Sequence, residues 1–62
     1  MAHHTPSFLF HIPHMGNKVL TAEELRKRMG TVKQPQAVHV IDATTHSRLG
    51  SMHPSLALIK FR

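Results

Sequence analysis

Histidine is the residue type best able to do chemistry in this sequence. There are seven: His3, His4, His11, His14, His39, His46 and His53. His11-Ile12-Pro13-His14 has the spacing of metal ligands, and His3-His4 stands close enough in the chain to complete a set. A zinc site needs three or four converging donors and a second layer of hydrogen bonds to orient them. Cysteine is absent and no carboxylate precedes Glu23, so the reading favours histidines that contact a partner or water, and expects no metal and no cofactor. His39, His46 and His53 recur every seven residues, but Gly50 and Pro54 interrupt any helix that would align them. Asp42, His46 and Ser47 or Ser51 supply the residue types of a hydrolytic triad. Triads are made by geometry, and a chain this short has little material to wall a pocket. No catalytic residue is expected.

The remaining candidates are cationic and apolar. Arg26-Lys27-Arg28, with Lys33 close by, is the densest basic cluster. These four are the expected anion or phosphate contacts, and such contacts give affinity that falls with salt. Phe8 and Phe10 could stack on bases, but no base-reading motif surrounds them. Phe8, Phe10, Leu25, Met29, Leu58 and Phe61 are the expected partner-binding residues.

The elements that must position these groups are few. Thr21 with Glu24 forms a capping box, and Leu20 and Leu25 have the spacing of a hydrophobic staple. Acids in the first turn and bases in the last suit the helix dipole, and Gly30 suits a left-handed closing residue. A helix over 22–29 follows, with Ala22, Leu25 and Met29 on one face. After the break at Gln34-Pro35-Gln36, residues 37–42 read as a strand, Val38 and Val40 on one face and His39 and Ile41 on the other. Asp42 to Thr45 end it, and residues 45–55 read as loop. Residues 56–61 read as a second strand or an apolar tail docked on a partner. Residues 1–18 read as an extended arm, broken by Pro13 and Gly16.

The stretch from Lys18 to Met29, followed by Ala37 to Thr44, resembles the opening of a rhodanese domain: a capped helix, then a strand ending in Asp-Ala. The resemblance covers about 27 residues, and the catalytic cysteine that family requires is absent. It therefore implies a fragment without that family's activity.

Composition bounds the rest. A chain of 62 residues makes one unit, and a domain of that size buries only about 60% of its unfolded surface. No disulfide can staple it. The expected fold is a small α+β or largely extended chain: one short helix, one or two short strands and a long N-terminal arm, in need of a partner to order it. The net charge of +5, from eight Lys/Arg against three acids, points to anionic partners. Apolar runs are far shorter than the roughly 20 residues that span a bilayer, and the first residues carry no secretory or transit signal. The function expected is that of a non-catalytic, basic accessory subunit docked on protein subunits of a large assembly. An intracellular host of the mitochondrial respiratory or ATP synthase kind fits the modest Lys/Arg density. The alternatives are a ribosomal or RNA-binding protein, contact with an anionic membrane surface, and a small His-rich metal-binding domain.

Overall fold

A computed structural model describes residues 6–61. In chain order it contains β1 (Phe8–His11), a 3₁₀ turn (Pro13–Met15), β2 (Val19–Leu20), α1 (Ala22–Met29), β3 (Val38–Asp42), β4 (Arg48–Met52) and α2 (Pro54–Lys60). The strands form one antiparallel sheet in the order β2-β1-β3-β4.

The supposed arm is the heart of this sheet. Phe8 to His11 pair with β2 on one side and with β3 on the other, in the register Phe10↔Leu20 and Phe10↔Val40. Alternation explains why: Phe8, Phe10 and Ile12 face one way, Leu9 and His11 the other. Pro13 and Gly16, which looked like breaks, are the turn of the β1–β2 hairpin. Gly16 has φ 67° and ψ −133°, a region open almost only to glycine. The Cα radius of gyration, 11.2 Å, is near the roughly 10–11 Å of a compact chain of this length and far from the roughly 24 Å of an unfolded one. Neither a long arm nor a largely extended chain is present among the described residues.

Both helices cover the same sheet face. α1 lies over β1 and β2, α2 lies over β3, and the helices touch each other. Phe10, Ile12, Leu20, Leu25, Val38, Val40 and Ala57 close the core between them. Val38 and Val40 point inward as their alternation requires. The capping box of α1 forms: the Thr21 amide donates to Glu24 Oε1 at 2.9 Å, and the Glu24 amide donates to Thr21 Oγ1 at 3.3 Å. Leu20 and Leu25, the staple pair, are both in the core. Gly30 is not left-handed; its φ is −70°. The Thr31 amide and hydroxyl both donate to the Arg28 carbonyl, at 3.0 and 2.8 Å, which ends the helix without a left-handed residue.

Two further expectations are corrected in the second half. Part of the expected loop over 45–55 is β4, held to β3 by four register pairs from Val38↔Met52 to Ile41↔Arg48. Arg-Leu-Gly-Ser-Met has little strand propensity of its own, and pairing overrides it. Asp42 closes a hairpin turn here: its Oδ1 accepts from the Thr44 and Thr45 amides at 2.8 and 2.9 Å. Residues 54–60 form a helix rather than a strand or a tail. Pro54 stands at its first position, where a missing amide costs nothing, and His53 Nδ1 caps it by accepting from the Ser55 amide at 3.1 Å. Beyond the helix, Phe61 meets Phe8 edge-on with ring centroids 5.1 Å apart. The apolar clusters at the two ends of the chain therefore dock on each other.

Candidate functional site

The sheet face opposite the two helices, left open among the described residues, carries the residues with chemistry. Strand alternation sends Leu9 and His11 of β1 and His39 and Ile41 of β3 to this side. The register aligns Val19, His11, His39 and Ser51 in one row across all four strands. Strict alternation from Ser51 would turn Arg48 away. An irregularity in the β3–β4 pairing, where the partner of Val40 is Gly50 but that of Ile41 is Arg48, brings Arg48 back to the histidine side. Re-aiming a side chain is what a bulge does.

The row is hydrogen-bonded through its imidazoles. His11 and His39 lie in parallel, centroids 5.5 Å apart and 18° between planes. Arg48 Nη2 stands 3.1 Å from His39 Nε2. A guanidinium can only donate, so Nε2 is the acceptor, the proton sits on Nδ1, and Nδ1–H donates to Ser51 Oγ. His11 Nε2 donates to the Gly16 carbonyl. The pKa of His39 is pushed below the usual imidazole value, first by its partial burial, then by the Arg48 charge, then by His11. A neutral ring matches the accepting Nε2.

This arrangement limits the chemistry available. A nucleophilic Ser51 would need an unprotonated nitrogen facing it, and Arg48 places the proton on that nitrogen instead. Asp42, His46 and Ser47 share the hairpin turn, where the Asp42 carboxylate is held by the Thr45 and Thr44 amides and kept below the usual carboxylate range by them. Of the His3, His4, His11 and His14 set, His3 and His4 lie outside the described residues. Among the described residues no three His, Asp or Glu side chains converge as ligands. Among the described residues no Asp or Glu points to the open face: Glu23 and Glu24 lie in the first turn of α1, and Asp42, at the end of β3, turns its carboxylate to the Thr44 and Thr45 amides.

The expected partner-binding residues mostly belong to the fold. Phe10 and Leu25 are buried in the core, and Phe8, Leu58 and Phe61 pack against it. Met29 is different. It lines a small socket formed by the end of α1, the segment after it and the 3₁₀ turn. Arg28 shares that socket, Lys33 stands in the following segment, and Arg26 and Lys27 are exposed on the same end of the helix. The residues expected to contact anions thus gather at one end of α1, as their adjacency in sequence required. The pairing of His11 with His39 had no signal in the sequence beyond strand alternation, because it depends on which strands become neighbours.

No family model, curated protein or solved structure matches this chain, so the partial likeness to a rhodanese opening gains no support. Among the described residues, no helix is long and apolar enough to cross a membrane.

Proposed function

We propose that this protein is a non-catalytic docking module, an accessory chain whose open sheet face seats on an anionic surface of a partner protein in a larger assembly. The observation that carries this is the asymmetry of the sheet. One face is covered by both helices, while the other presents His11, His39, Arg48 and Ser51 among Leu9, Ile41 and Val19, with no Asp or Glu among the described residues. The net charge of +5 supports a partner of negative potential. The compact fold removes the argument that the chain needs a partner in order to order itself; the proposal rests on the open face instead. Its host, by the modest Lys/Arg density, is a complex of the respiratory or ATP synthase kind in preference to a ribosome.

A second reading has its own observation. Two imidazoles side by side on the central strands, flanked by an arginine, could stack bases of a single strand. Affinity would then fall steeply with salt.

A photo-crosslinking residue in place of Ser51, with a second placed at Glu23 as control, separates these readings in cells that make the protein. The expected outcome is one defined protein adduct from position 51, abolished by Arg48→Glu, and none from position 23. An RNA adduct at position 51 favours the second reading. Equal background from both positions overturns docking through this face.

A further inference from the structure

We infer that the socket at the C-terminal end of α1 takes one aliphatic side chain of an acidic linear segment of a partner protein. This deepens the docking reading and rests on it only for the partner's being a protein; the surface is a different one.

Size comes first. The cavity measures about 100 Å³. An engineered apolar cavity of about 150 Å³ holds a benzene, so this one suits a single leucine-sized side chain and no drug-sized ligand. Its floor is apolar and rigid: Leu25 and Val38 are each 1% exposed. Its sides include Met15 and Met29, whose unbranched thioethers adapt to an incoming shape.

Charge supplies the second half of the argument. Arg28 and His14 stand at the rim with Gln34 and Gln36, and no carboxylate lines the cavity. A guanidinium matches a carboxylate with two parallel hydrogen bonds, and glutamine amides can satisfy the backbone of an extended segment. The helix dipole opposes an anion at this end, with roughly half a negative charge. Three factors outweigh it. Arg26, Lys27 and Arg28 bring three full positive charges. The carbonyls of Lys27 and Arg28 are already engaged, by the Gly30 amide and by the Thr31 amide and hydroxyl. All three acids of the chain lie elsewhere, Glu23 and Glu24 at the opposite end of α1 and Asp42 in the β3–β4 turn.

The test is a titration of the full ¹⁵N-labelled chain with a blocked hexapeptide of five glutamates and one central leucine, followed by amide shifts. Saturable shifts at Met15, Met29, Val32, Gln34 and Gln36 are expected. Alanine in place of the leucine should weaken binding about ten-fold, the worth of one buried aliphatic side chain. Arg28→Gln, on a half-buried residue that the core does not need, should weaken it by a similar factor. Absence of saturable shifts at the socket overturns the proposal, and so does equal binding of the alanine peptide, which would mean charge alone. Shifts confined to His39, Arg48 and Ser51 sink the socket and leave the open-face reading standing. Socket binding without a Ser51 adduct does the reverse.

Discussion

His39 holds its proton on Nδ1 because Arg48 leaves Nε2 no other role than acceptor. That constraint has a consequence in solution. The folded pKa lies below the 6.5 of a free imidazole, so the native state binds this proton less well than the unfolded chain does. Stability from this residue is complete above pH 6.5, and it is lost as pH falls through the lower folded value. Denaturant midpoints between pH 7.5 and 5 should therefore decline, and His39→Gln should flatten that decline. A profile unchanged by His39→Gln would mean that in solution His39 is neither partly buried nor held beside Arg48 as described. The sequence placed His39 and Ile41 opposite the inward face of Val38 and Val40, since two-residue alternation is local. It could not show Arg48 beside His39, because that depends on a one-residue irregularity in the pairing of β3 with β4.

At the scale of elements, the legible parts were those written in adjacent residues. The capping box of Thr21 and Glu24, the staple of Leu20 and Leu25 and the valines of β3 each declare themselves within a few positions. β1, β4 and α2 were hidden for separate reasons. β1 is four residues long, β4 contains glycine and serine, and α2 begins with the less familiar cap of histidine then proline. Gly16 illustrates how punctuation misleads. Read as a break, it is the residue that lets β1 and β2 meet, and its carbonyl receives the His11 ring. A Cβ there would meet nothing within 4 Å, so the objection to another residue is purely one of backbone conformation. Gly16→Ala should cost about 1–3 kcal/mol in chemical denaturation, and the His11 ring resonances should shift with it. An unchanged midpoint would place the hairpin turn elsewhere.

Over the whole molecule, the apolar residues at the two ends were expected to dock on a partner, whereas the fold packs them on each other. Phe8 and Phe61 find each other, and Phe10 is fully enclosed. One short helix and one or two short strands would enclose too little for a core. The other strands and a second helix, each recognisable only after pairing, supply the difference. The open face is then surplus to folding, and this is the premise on which docking stands. Thermal melting of the isolated 62-residue chain by circular dichroism tests it most directly, with Arg48→Glu and Phe10→Ala as companions. The account predicts a cooperative melt for the unaltered chain and one for Arg48→Glu, displaced by no more than the few degrees that about 0.5 kcal/mol gives a small domain. Phe10→Ala should have no folded baseline, because about 3–5 kcal/mol is most of what a domain of this size holds. A broad, non-cooperative signal from the unaltered chain would contradict the account, and would mean that its core is completed only by a partner.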